Sequence, residues 1–204
     1  MGLYDRVVVP RLIHCAMRAE LLLPLRRRVV ADVRGRVLEL GIGAGPNLPL
    51  YGPGVTELSG FDPSGYLIDR SRSAATALPF PVRLHRQTAE RLPLPDASVD
   101  AVVVTWALCT IADPLAALRE AHRVLVPGGT LRFVEHGLAA AASLARWQRR
   151  LTPVWRRIAG GCRLDRQADR LIEAAGFALE SLETGYLVPG PHLFTYHYLG
   201  MARK

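Results

Sequence analysis

The chain is almost without lysine: of its 26 basic side chains only Lys204 is one, and the rest are arginine. With no interior lysine, nothing can form a Schiff base with pyridoxal phosphate or serve a P-loop, so both classes are excluded. Cysteine is sparse, with Cys15, Cys109 and Cys162 far apart and no CxxC pair. That pattern suits a reducing compartment and argues against zinc, so no metal is expected. Long apolar runs are missing too. The longest uncharged one, Ala101 to Ala112, has twelve residues, whereas a membrane-spanning helix needs about 20. Asp5 and Arg6 precede any apolar run, which does not fit a secretory leader, and a cytoplasmic protein is expected.

What is present is globular. Half of the 204 residues are apolar and turn signals recur along the chain, so a single domain with a substantial core is expected. A net charge of +8 favours anionic partners in principle. The arginines are dispersed, however, apart from Arg26 to Arg28 and the set Arg146, Arg149, Arg150, Arg156 and Arg157. Nor do aromatic and basic residues alternate along any strand, so nucleic acid is not expected as a partner. The arginine bias reads as that of a GC-rich coding sequence. The oligomeric state is left open.

Residues 1–33 show helical spacing divided by Pro10 and Pro24, and read as a helical lid. From residue 34 strands and helices alternate. Val37–Leu40 is a short buried strand stopped by glycines, with Pro46 suited to a first helical position. Val55–Phe61 is a second strand, and Ser64 caps a helix through Ala77. Val82–His85 and the almost wholly apolar Val99–Thr105 follow, then a helix from Asp113-Pro114 through Val124. The fifth strand is Thr130–Glu135, helical spacing returns over Ala139–Ala175, and strands at Phe177–Glu183 and His192–Met201 close the chain. The alternation predicts an α/β doubly wound parallel sheet over residues 34–204, with the last two strands pairing antiparallel.

The glycine turn carries the first chemistry. A strand that ends in glycines and feeds a helix lets the backbone approach a ligand closely, because no Cβ intervenes. Here the spacing is Gly41-x-Gly43-x-Gly45, with Pro46 where a dinucleotide fingerprint has its third glycine. Glu39 stands at the strand end, where a carboxylate would repel a pyrophosphate and attract a sulfonium or ammonium. Asp62 ends the next strand about twenty residues on, the place from which a carboxylate grips ribose hydroxyls.

Four stretches in order, Val37–Asn47, Phe61–Ser64, Ala89–Asp100 and Arg119–Gly129, resemble the successive motifs of class I S-adenosylmethionine methyltransferases. The resemblance implies a Rossmann-like sheet of seven strands with a C-terminal hairpin, and S-adenosylmethionine as cofactor. It implies that Gly41, Gly43 and Gly45 line the methionine portion, and that Glu39 and Asn47 also bind the cofactor. It further implies Asp62, Pro63 and Ser64 at the ribose, and Thr88, Ala89 and Glu90 beside the adenine. Many relatives have Asp where this chain has Thr88. Thr105, Trp106 and Cys109, just past the fourth strand, would flank the methyl donor.

The second half resembles the thiol S-methyltransferases of the animal methyltransferase-like seven group, through Val102–Pro114, Arg132–Gly137, Gly160–Phe177 and Gly190–Lys204. Their bacterial relatives act on small molecules, so a small-molecule acceptor, most simply a thiol, is expected. Ionisation of a thiol with a pKa of about 8.5 needs only modest help, so one histidine near the methyl group would suffice as base. His136, directly after the fifth strand and beside Glu135, is the first candidate, and His192 the second. Trp106 and Trp147 are candidate walls for the acceptor, and Tyr4 a candidate lid residue. Phospholipid or quinone methylation, with the arginine-rich helix against an acidic membrane, stays open as an alternative. So does a cofactor-binding protein that turns over nothing; a dinucleotide oxidoreductase is disfavoured by Pro46.

Overall fold

Two prolines begin the first two helices of the structure, a computed structural model that describes residues 8–204. Pro10 and Pro24 each stand at a first-turn position, of α1 (Val9–Met17) and α2 (Leu23–Val30), where the missing N–H costs nothing. The lid candidate Tyr4 lies outside the described residues. Among those that are described, no helix is long and apolar enough to cross a membrane.

Strands β1 (Gly35–Leu40), β2 (Val55–Phe61), β3 (Val82–His85), β4 (Val99–Thr105) and β5 (Leu125–His136) run parallel, and β6 (Ala178–Tyr186) and β7 (Tyr196–Arg203) complete one seven-stranded sheet. The order is β3-β2-β1-β4-β5-β7-β6. β7 pairs antiparallel with both β5 and β6. Helices α3 (Gly65–Thr76), α4 (Pro114–Val124), α5 (Ala142–Ile158) and α6 (Ala168–Ala174) make the crossovers. Val102, Val103 and Val104 are fully buried because β4 is covered on both faces, one cluster forming against α4 and the other against α2. Ser64 caps α3 by accepting from Leu67 N, and Asp113 caps α4 by accepting from Ala116 N.

Four expectations change. No α-helix starts at Pro46: the glycine turn leads instead into a one-turn 3-10 helix, Leu48–Leu50, with Asn47 before it, because β2 begins only eight positions after Asn47. The helical spacing over Ala139–Ala175 resolves into α5 and α6 with a loop between, since Gly160 and Gly161 both take positive φ. The expected strand from His192 begins instead as a one-turn helix, α7 (His192–Thr195). β5 also starts earlier, at Leu125, and runs on through Pro127-Gly128-Gly129.

The sheet reverses its winding between β1 and β4, so their carboxyl ends open a crevice where an open α/β sheet takes its ligand.

Candidate active site

Gly41 and Gly43 adopt φ of +68° and +57°, the left-handed region that glycine enters freely. A Cβ on Gly41 would lie 2.4 Å from Ala107 Cβ, so the first turn has room for glycine alone. Asp62, at the end of β2, is turned toward this loop, its Oδ2 accepting from Gly43 N at 3.1 Å and its Oδ1 from Ser64 N at 2.8 Å. Burial raises the pKa of this carboxyl, and the two backbone N–H groups partly offset that. At the end of β4, Trp106 takes φ of +51°, rare for a bulky side chain and typical of residues held at functional sites.

These loops wall one cavity of about 590 Å³, a size suited to a cofactor and a small acceptor together. Gly41, Gly43, Asp62, Pro63, Ser64, Thr88, Ala89, Glu90, Thr105 and Trp106 all line it, as their motifs imply. α1 closes the other side with Val9, Ile13, His14 and Met17, which makes most of that wall apolar.

Behind the wall lies a buried polar layer. Glu39 is sealed in, its carboxylate accepting from Asn47 Nδ2 at 2.8 Å and from the Tyr51 hydroxyl at 2.7 Å. Burial pushes Glu39 up to about 7, opposed by those two hydrogen bonds and by the charge of Arg26. Asn47 also donates to Thr105 Oγ1 at 3.0 Å. Gly45 packs against Leu48 and Ser71. Neither Glu39, Gly45 nor Asn47 lines the cavity, so they shape the turn from behind.

The catalytic candidates require correction. Neither His136 nor His192 lines the cavity. β5 carries His136 past the wall, where Nε2 meets Cys162 Sγ at 3.0 Å. His192 is exposed and stacks on Tyr186, ring centroids 4.1 Å apart. Trp147 is 57% exposed on α5 and lines nothing. Cys109 is buried beneath the wall, its N–H directed at Glu135 Oε2. Glu135 instead braces the loop after β4, also accepting from Ala107 N at 2.6 Å and Leu108 N at 3.0 Å. Burial lifts this carboxyl to about 7.

Among the cavity residues that the sequence reading does not single out, two carry the most chemistry. Arg26 on α2 is 3% exposed and lines the cavity, donating to Asn47 Oδ1 at 2.8 Å and Thr105 Oγ1 at 3.1 Å. Its guanidinium lies 4.8 Å over the Trp106 ring, and burial lowers its pKa to about 10. The signal was available: Arg26 falls among Leu22, Leu25, Val29 and Val30, on the buried stripe of its own helix. The second is His14, the one histidine along the cavity among the described residues; its Nδ1 is buried without a hydrogen-bond partner. Burial, then Arg70 and Arg18, lowers its pKa and favours the neutral ring. Nothing in the local sequence distinguishes His14 from a surface histidine.

A glycine turn, a buried carboxylate after β2 facing that turn and a cavity at the switch point of a β3-β2-β1-β4-β5-β7-β6 sheet are the marks of a nucleoside-binding α/β protein. The comparisons sharpen that class. Residues 38–133 match the family described as methyltransferase domain. The chain is 36% identical over 178 residues to thiol S-methyltransferase TMT1B of Rattus norvegicus, covering 80% of this chain and 72% of that one. It is 35% identical over 116 residues to phosphatidylethanolamine N-methyltransferase of Cereibacter sphaeroides, 54% of this chain and 57% of that one. An S-adenosylmethionine-dependent methyltransferase structure from Thermotoga maritima superposes with a TM-score of 0.70 at 21% identity, over 98% of this chain and 97% of that one. The chain belongs to the S-adenosylmethionine-dependent methyltransferases, and S-adenosylmethionine is its cofactor.

Proposed function

We propose that the chain methylates the sulfur of a small apolar thiol. The observation that carries this reading is the lining contributed by α1, where Val9, Ile13 and Met17 accompany His14 in the same cavity as the glycine turn. An apolar acceptor is desolvated by such a wall, and a neutral imidazole is the only help a thiol needs. The likeness to thiol S-methyltransferase TMT1B supports the same acceptor.

The cofactor supplies an electrophilic methyl group on a sulfonium sulfur. Asp62 would accept from the ribose hydroxyls, and Arg26 would bind the methionine carboxylate. Phe61, Leu67 and Ala89 offer apolar surface to the adenine. Trp106 and α1 exclude water and hold the acceptor in line, which is most of what a displacement at carbon requires. His14 takes the thiol proton, leaving the thiolate as nucleophile.

The test is incubation of the purified protein with S-adenosylmethionine and separate thiol, phenol, quinol and phospholipid acceptors, with products read by mass. Methylated thiol is expected. Cofactor binding without thiol product would overturn the reading.

A second reading takes the acceptor from a membrane, and one feature favours it. Trp147, Leu151, Val154 and Ile158 form a continuous exposed stripe along α5, between Arg149, Arg150, Arg156 and Arg157. A helix of that character lies well in the surface of an anionic bilayer. Lack of binding to anionic vesicles at low salt would rule this reading out.

A further inference from the structure

Three segments distant in sequence converge beneath the cavity floor. Cys109 comes from the loop after β4, His136 from the end of β5 and Cys162 from the loop between α5 and α6. Their ligand atoms all lie within 4.8 Å of one another. None of the three lines the cofactor cavity, although Thr110 and Gly161, next in the chain to Cys109 and Cys162, do. We propose that these residues form a binding site for a single thiophilic divalent ion of the zinc class.

Geometry and ligand type both support it. A tetrahedral ion with bonds of about 2.3 Å to sulfur and about 2.0 Å to nitrogen places its ligand atoms roughly 3.5–3.8 Å apart. His136 Nε2 and Cys162 Sγ are 3.0 Å apart, so an ion enters with a shift of about half an ångström at that edge. Two sulfurs and an imidazole select a borderline or soft ion, and the absence of carboxylate from the set disfavours magnesium and calcium. Three protein ligands leave a fourth position for water or another donor.

The surroundings hold the set in place. Arg163 N donates to Cys109 O at 2.9 Å, tying the two cysteine loops directly. Glu135 holds the Cys109 loop by accepting from three of its backbone N–H groups. The Trp155 indole N–H lies 3.4 Å from Cys162 Sγ and orients that sulfur from outside the set. Without an ion, the nearest partners of Cys109 Sγ besides the cluster are Trp106 O at 3.6 Å and Thr110 Oγ1 at 3.5 Å, both weak. Ion binding releases the two thiol protons to solvent, and two thiolates neutralise one divalent charge.

The test uses the full chain, reduced with a non-thiol reagent and titrated with cobalt(II) as a spectroscopic probe. A near-ultraviolet thiolate-to-cobalt band should saturate at one ion per chain and disappear on addition of zinc. Cys109→Ser and Cys162→Ser should each weaken binding by at least about 10-fold, and Cys15→Ser, on exposed α1 surface, should not. No band, or a band unchanged in both of the first two variants, overturns the proposal. The wild-type chain gives an independent reading that needs no variant to fold. Zinc should slow alkylation of Cys162 by iodoacetamide at least about 10-fold and leave Cys15 unaffected. Equal Cys162 rates with and without zinc overturn it.

Discussion

Arg26 stacks over Trp106 at 4.8 Å while donating to Asn47 and Thr105, so one buried cation links α2, the glycine turn and the end of β4. Lysine cannot reproduce a planar fork that serves several acceptors at once. Arg26→Lys is expected to weaken S-adenosylmethionine binding by about 10- to 100-fold, equivalent to losing one charge-assisted hydrogen bond of roughly 1.5–3 kcal/mol. Isothermal calorimetry measures it. Unchanged affinity would confine Arg26 to a structural part.

Gly41 and Gly43 share a conformation but differ in their surroundings. Gly41→Ala adds backbone strain and a Cβ 2.4 Å from that of Ala107, whereas at Gly43 the nearest atom is Gly41 O at 3.9 Å. Urea unfolding should show Gly43→Ala destabilised by about 1 kcal/mol and Gly41→Ala by at least about 2 kcal/mol more. Equal losses would mean that the clash at Gly41 relaxes freely.

Glu39 makes stability depend on pH. Its pKa rises from 4.5 to about 7 on folding, so between those values the folded chain binds more protons than the unfolded chain. Stability from this group is therefore full below about pH 4.5 and is lost as pH rises through about 7. The shift corresponds to about 3 kcal/mol as an upper figure. His197, lowered to about 4 by burial, acts with the opposite sign between pH 4 and 6.5, so a difference measurement is needed. Relative to Glu39→Gln, the wild type should lose stability steadily from pH 5 to 8 in denaturant unfolding. Parallel curves would contradict the assignment.

If His14 is the base, His14→Ala should lower kcat for a thiol by about 10²-fold at pH 7. The deficit should shrink as pH passes about 8.5, where the acceptor ionises unaided. His192→Ala, on the exposed surface outside the cavity lining, should leave both rate and profile unchanged. A pH-independent deficit in His14→Ala would assign His14 to packing alone.

The parts legible in the sequence are those determined by neighbours in the chain. β2, β3 and β4 appear with the boundaries their apolar patterns and turn residues indicate. The caps Ser64 and Asp113 and the starting prolines Pro10 and Pro24 are likewise local matters of backbone donors. The start of α7 was misread because His192–Thr195 is apolar enough for either a strand or one helical turn.

By itself, then, the sequence determined the class: the glycine turn follows β1 and Asp62 follows the adjacent parallel strand β2, so a short spacing in the chain places both at the same end of the sheet. Only the tertiary structure decided which side chains line the cavity. It brought Arg26 and His14 inward from the N-terminal helices, left His136 outside the cavity lining, and brought Cys109 close to Cys162, 53 positions on in the chain. The reason is physical: a helix's rotation and a loop's path are set by which surface buries most apolar area against the sheet, and that sum runs over the whole chain.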